Sequence, residues 1–128
     1  MVFKQTWLNI TDGTTVRWLQ TFHLYKGFKR GVSYPGDFVK GSVRVVSPPR
    51  FEYKGFKFKY NVKGNICRGL ITRAQKVYSI GDGTRSNFLS NDAVLIKKKQ
   101  NVKSKYVYGP IEKRIKRARF RTLFKTVI

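Results

Sequence analysis

Apolar and polar residues alternate in short runs along most of the chain, the period expected of strands with one buried face. QTWLNI (5–10) alternates, TDGTT makes a turn, and VRWLQTFHLY (16–25) alternates again, which assigns Val16, Trp18, Phe22 and Leu24 to one face of a hairpin. KGFKRGVSYPGD (26–37) is rich in Gly, Pro and basic residues and reads as a loop. FVKGSVRVV (38–46) sets Val39, Val43 and Val45 against Lys40, Ser42 and Arg44, and the paired prolines of SPPR end that strand because they cannot donate to a ladder. FKFKYNVK (56–63) puts Phe56, Phe58, Tyr60 and Val62 opposite Lys57, Lys59, Asn61 and Lys63, and KGN turns the chain into ICRGLITR (66–73). After a long connection, DGTRSNFLSNDAVLI (82–96) combines an Asp82-Gly83 turn, an inward Phe88 and an Asn91-Asp92 pair before a buried strand at 93–96. Asn91 and Asp92 are expected to fix the bend by side-chain to backbone hydrogen bonds, and YVY (106–108) reads as a last short strand. Many short strands without long intervening helices imply a mainly β fold, a small closed or nearly closed barrel forming a single domain over 1–128.

The character changes after 108. Gly109, Pro110 and Glu112 suit a helix start, and Phe120, Leu123, Phe124 and Val127 fall at helical spacing, so 109–128 is predicted as a basic helical segment that lays an apolar stripe on the 1–108 barrel. Arg114, Lys116, Arg117, Arg119 and Arg121 then stay outside.

Charge decides the class of partner. The 128 residues carry 28 Lys and Arg against 6 Asp and Glu, a formal +22 that repels itself unless a polyanion neutralises it. Between Lys97 and Lys125, ends included, lie 12 of those cations and one acid. Nucleic acid is the partner this implies. No apolar stretch approaches the roughly 20 residues of a membrane helix, and the N-terminus, MVFKQTWLNI, has neither a secretory apolar core nor a transit-peptide pattern. One cysteine (Cys67) and one histidine (His23) supply neither a disulfide nor a structural zinc site, and both sit in alternating runs where packed strand residues are the ordinary outcome. The scattered acids, several beside Gly, shape turns better than they pair for catalysis. No catalytic residue, metal or cofactor is therefore assigned. Phe, Tyr, Ile, Asn and Lys make up more than a third of the chain, the signature of an AT-rich genome such as an organelle's.

The cations assigned to phosphate contact, by charge and segment, are Arg17, Lys26, Lys29, Arg30, Arg44, Arg50, Lys54, Lys57, Lys59, Lys63, Arg73, Arg85, Lys97, Lys98, Lys99, Arg114 and Arg117. Phe28 and Tyr34 are the base-stacking candidates in loops, whereas Trp7 and Trp18 are expected to be core or surface-packed strand residues before they are stacking platforms. Two other classes fit less well. A free, OB-type single-strand-binding barrel would use aromatics on an open sheet face, and a basic ribonuclease would need a second general acid or base beside the lone His23.

Four segments carry a family resemblance. GLIT (69–72), Asp82-Gly83, Phe88, Asn91 and Val94-Leu95, at their mutual spacing, resemble the universal large-subunit ribosomal protein L-fourteen family, with Thr72 standing where the family prefers an aliphatic residue. QTWLNITD (5–12), GDFVKGSV (36–43) and YGPIEKRIK (108–116) resemble its other conserved segments in the same order. Asp12-Gly13-Thr14-Thr15-Val16 and SPPRFEYKG (47–55) depart from the family's loops. The resemblance implies a five-stranded barrel with a projecting β-ribbon and a short α-helical C-terminal part, bound to large-subunit ribosomal RNA and without enzymatic activity. It further implies a place at the intersubunit face, a bridge to small-subunit RNA, neighbours of the L-three and L-nineteen families, and a surface that an RsfS-type silencing or assembly factor occupies. The divergence and composition point to a mitochondrial ribosome in the matrix, with a plastid or a bacterial cytoplasm as alternatives.

Overall fold

The computed structural model describes residues 1–25, 27, 31–47, 63–79, 81–97, 102, 104, 106–115 and 117–128. Within them, strands β1 (Trp7–Ile10), β2 (Val16–Leu24), β3 (Phe38–Val46), β4 (Ile66–Arg73) and β7 (Asp92–Ile96) close a barrel in the order β1-β2-β3-β4-β7. The closing pair, β1 with β7, is parallel, with Asn9 opposite Asp92 and Ile10 opposite Ala93. A separate two-stranded ribbon, β5 (Tyr78–Ser79) with β6 (Arg85–Ser86), forms within the connection between β4 and β7. The strand predicted over 56–63 lies outside the described residues except for Lys63, which opens the turn into β4.

The face of β2 differs from the one its alternation predicts. Val16, Leu19, Thr21 and Leu24 point into the barrel, while Trp18 and Phe22 are exposed. The pairing with β3 slips between Val16 and Trp18, between Trp18 and Leu19, and between Thr21 and His23. Each irregularity shifts the period-2 phase, so a strict alternation read along nine residues puts the wrong side chains inside. Val45, opposite Trp18, is turned out for the same reason, although Val39 and Val43 are buried as predicted. Gly41 is buried between them; a Cβ there would sit 2.6 Å from the Gln20 carbonyl oxygen, so the close approach of β2 and β3 requires glycine.

Two apolar clusters share β4 and β7. The barrel interior holds Leu8, Ile10, Val16, Leu19, Leu24, Val39, Val43, Ile71, Ala93 and Leu95, with Val2 and Ala74 at its margins. Outside the barrel wall, Leu70, Val94 and Ile96 pack against Ile111, Ile115, Phe120 and Phe124 of the C-terminal segment. Strand β7 is thus covered on both faces, which is why its sequence is a continuous apolar run rather than an alternating one.

The C-terminal segment is mostly not helical. Among its described residues only Ala118–Arg121 forms a helix, α1, and Pro110 and Glu112 do not begin one. Instead the segment pairs with itself: the Ile111 N–H donates to the Thr126 carbonyl at 3.0 Å and the Ile128 N–H to the Ile111 carbonyl at 2.9 Å. Two forces favour this arrangement. Short isolated helices are marginal in water, and Lys113, Arg114, Arg117 and Arg121 would repel one another at i, i+3 and i+4 along a regular helix. Of the predicted stripe, Phe120 and Phe124 are buried and Leu123 and Val127 are exposed. Residues 106–108 make backbone bonds with 11–13, including the Tyr108 N–H to the Thr11 carbonyl at 2.8 Å, so YVY is a bridge to the first hairpin rather than a full strand.

Candidate nucleic-acid interface

Strand directions sort the described cations into two groups. The start of β2, the end of β3, the turn into β4 and the end of β7 lie at one end of the barrel, which places Arg17, Arg44, Lys63 and Lys97 there, all exposed. Arg17 Nε reaches across to Ser47 Oγ at 2.5 Å, joining the start of β2 to the end of β3. The opposite side carries Arg85 on the ribbon, and Arg114 and Arg117 on the C-terminal segment, also exposed. Arg117 lies 5.1 Å over the Phe38 ring. Lys26, Lys29, Arg30, Arg50, Lys54, Lys57, Lys59, Lys98 and Lys99 lie outside the described residues, as does Phe28.

Arg73 differs from the other assigned cations because it is engaged inside the fold. Its Nε donates to Asp92 Oδ2 at 2.6 Å, with side chains 12% and 3% exposed, and its Nη1 donates to the Pro110 carbonyl at 3.2 Å. The pairing rests on a bulge. Ile71 faces Ala93 and Arg73 faces Asp92, so Thr72 is the extra residue, and its hydroxyl donates to the Asp92 carbonyl at 3.3 Å. That bond accounts for a polar side chain at a fully buried position, where an aliphatic one would leave the hydroxyl's acceptor without this donor.

Of the five described acids, Asp12, Asp92 and Glu112 are buried, Asp37 is half-buried and Asp82 is exposed. Asp12 accepts the Leu95 N–H at 2.9 Å and the Thr14 N–H at 3.0 Å, fixing the first turn to β7. Asp92 also accepts from Asn9 Nδ2 at 3.2 Å and Ser90 Oγ at 2.8 Å, while Asn91 Oδ1 accepts the Gln75 N–H at 2.8 Å. At the entry to β7, Asn91 thus makes the side-chain to backbone bond that was predicted, whereas the Asp92 carboxylate differs from the prediction by bonding other side chains, those of Asn9, Arg73 and Ser90. Asp82 is exposed and closes its own turn, and the Thr84 hydroxyl and N–H hold its carboxyl below the usual range. Burying Asp12, Asp92 and Glu112 leaves the cations to dominate the outer surface.

Glu112 is fully buried, and neither carboxylate oxygen has a hydrogen-bond partner among the described residues. Burial pushes its carboxyl above the ordinary range, opposed in part by Arg114. A carboxyl whose folded pKa exceeds its unfolded one binds its proton more tightly in the folded state, so it lowers stability as pH rises through the unfolded value of about 4.3 and upward. Glu112→Gln is expected to melt at a higher temperature than the unmodified chain at pH near 7, with the advantage vanishing below about pH 4. Thermal melts across that range check it; an advantage that grows as pH falls would refute the assignment.

Aromatic positions also separate. Tyr34 is half-buried against the barrel core, with Lys76 Nζ 5.1 Å from its ring centroid. Trp7 and Trp18, expected as core or surface-packed strand residues, lie on the outer surface against each other, 46% and 39% exposed. Sequence reading passed over Lys40 and Arg68, neighbours on the outer side of β3 and β4, where Arg68 stands 5.8 Å over the Tyr25 ring. The outward phase of KGSVR and ICRGL was the available signal. Cys67 packs against the barrel core while His23 meets Tyr25 edge to face. Among the described residues, no group of three or more His, Cys, Asp or Glu is placed to hold a metal ion, and no helix is long and apolar enough to cross a membrane.

The model of the family "Ribosomal protein L14p/L23e" matches residues 1–127. The chain belongs to this family. A relative from Tetrahymena pyriformis, named "Large ribosomal subunit protein uL14m", is 32% identical over 124 residues, which span 97% of each chain. As an L14p/L23e protein the chain is a structural component of the large ribosomal subunit and not an enzyme. Its closed barrel, with exposed basic residues at both ends and Asp12, Asp92 and Glu112 buried, suits a scaffold that works by position and charge.

Proposed function

We propose that this chain binds large-subunit ribosomal RNA through exposed cations at both ends of the barrel, within the mitochondrial ribosome and hence in the matrix. The observation that carries the reading is the opposed placement of charge on an L14p/L23e barrel: Asp12, Asp92 and Glu112 buried, and Arg17, Arg44, Lys63, Lys97, Arg85, Arg114 and Arg117 exposed. The mitochondrial setting is supported by the name of the Tetrahymena relative and by the AT-rich residue usage. A rigid barrel holds its cations at fixed separations, so it recognises folded RNA by the arrangement of phosphates rather than by base sequence. By family likeness it lies at the intersubunit face, contributes to a bridge with small-subunit RNA, neighbours proteins of the L-three and L-nineteen families, and presents a surface to an RsfS-type factor.

Salt dependence tests the contact mode. Each phosphate neutralised contributes about 0.7–0.9 to the slope of log affinity against log salt. Changing Arg17, Arg44, Lys63 and Lys97 together to Gln is expected to reduce that slope by about 3 and to weaken binding to a large-subunit RNA fragment uniformly. Filter binding across a salt series measures it, and an unchanged slope would remove this end of the barrel from the interface. Sedimentation addresses the setting: the tagged chain is expected with large subunits at moderate salt, and its presence only in the free soluble fraction would defeat the proposal.

A further inference from the structure

We propose that the outer face of β1 and β2 is a stacking site for unpaired RNA bases, centred on Trp7 and Trp18. The inference rests on the RNA-binding reading and assigns it a second kind of contact. Leu8, Ile10 and Leu19 point into the barrel, so their strand neighbours Trp7, Asn9 and Trp18 are turned outward. Asn9 stands opposite Trp18 and Gln20 opposite Trp7, and Trp18 faces Val45 on the other side. The two indoles meet edge to face with centroids 6.3 Å apart, and Phe22 is exposed further along β2.

A face of this kind is unexpected on a small soluble barrel, because two large aromatic side chains gain little while they remain in water. Charge complementarity selects the occupant. Strands β1 to β4 contain no Asp or Glu, and they carry Arg17, Lys40, Arg44, Arg68 and Arg73. Exposed aromatics, the amide side chain of Gln20, and flanking exposed Arg17 and Arg44 reproduce the requirements for holding a single strand: a platform for the base, a donor and an acceptor for its edge, and cations for the backbone. Bases inside a duplex already have both faces stacked. The site therefore takes unpaired nucleotides, and the end-of-barrel cations take phosphates from paired or unpaired RNA.

The chain has two tryptophans and both are in this site, so its intrinsic fluorescence reports occupancy directly. Titration of the full chain with an unstructured RNA of about 12 nucleotides is expected to quench that emission, and a duplex of the same length is expected to bind without quenching. Trp18→Leu should weaken single-strand binding about 10-fold and leave duplex binding within about 2-fold, while Trp18→Phe retains most of the single-strand affinity. If Trp18→Leu does not fold, quenching of the unmodified chain and the behaviour of Trp18→Phe still decide. Salt-dependent binding without quenching, or unchanged affinity in a folded Trp18→Leu, overturns the stacking site and leaves phosphate binding intact. Failure of the unmodified chain to bind either RNA overturns both readings. In intact large subunits, ultraviolet crosslinks are expected from this face to nucleotides; crosslinks to a neighbouring protein instead would show that a protein covers it and would overturn the assignment.

Discussion

Arg73→Met is expected to destabilise the folded chain by about 3–5 kcal/mol, far more than the loss of any exposed cation. Arg73 and Asp92 form a nearly buried ion pair, and removing the guanidinium leaves the Asp92 carboxylate with neutral donors only, Asn9 and Ser90. The same change deprives the Pro110 carbonyl of its 3.2 Å donor, so the wall strands and the start of the C-terminal segment lose a shared tie. Arg73→Lys is not an adequate substitute, because a single ammonium cannot reproduce the fork that reaches both acceptors. Arg85→Met, at an exposed site, should change stability by less than about 0.5 kcal/mol. Urea midpoints for Arg73→Met, Asp92→Asn and the double variant measure the coupling, and the double variant should recover part of the loss because no charge is then left buried. A cost below about 1 kcal/mol for Arg73→Met would mean that the pair is relaxed and hydrated in solution.

Such a tie marks the limit of what the chain's pattern discloses. Strands whose burial follows one rule along their length were legible: β4 was found at its full extent, and β7 as a buried run at 93–96. The turn at Asp82-Gly83 was legible as well, since Gly83 holds a φ of 89° that glycine adopts without strain. What alternation could not convey was phase. Three register slips between β2 and β3 bring Leu19 and Thr21 inward and turn Trp18 out, and nothing local in VRWLQTFHL announces them. The C-terminal segment misled for a related reason. Phe120 and Phe124 are spaced for a helix and do meet the core, yet Ile111 and Ile128 close the segment by long-range bonds that helical periodicity does not encode. Charge read from sequence assigned candidate contacts only by segment, and it could not separate Arg73, held by an acid 19 positions away, from the exposed Arg85.

The second large effect concerns how that segment is held. Phe120→Ala is expected to cost about 3–5 kcal/mol, as a large buried aromatic whose loss leaves a cavity. Phe120 is 1% exposed, meets Phe38 edge to face at 6.1 Å, and lies among Leu70, Val94, Ile96, Ile111, Ile115 and Phe124. Because this cluster lies outside the barrel wall, the loss should appear first as undocking of residues 111–128 rather than as barrel melting. Hydrogen exchange distinguishes the two. The amides of Ile111, Lys113 and Ile128, bonded within the segment, should lose protection, while the Leu95 amide, held by Asp12 inside the barrel region, should keep it. Equal loss at all four would mean that barrel and segment unfold as one unit. Undocking also disperses Arg114 and Arg117, so RNA affinity should fall at temperatures where the barrel remains folded. On the proposed RNA-binding role, the apolar contact at Phe120 supports function indirectly: burying one ring fixes the positions of cations that a flexible tail would have to order, at an entropic cost, each time it met RNA.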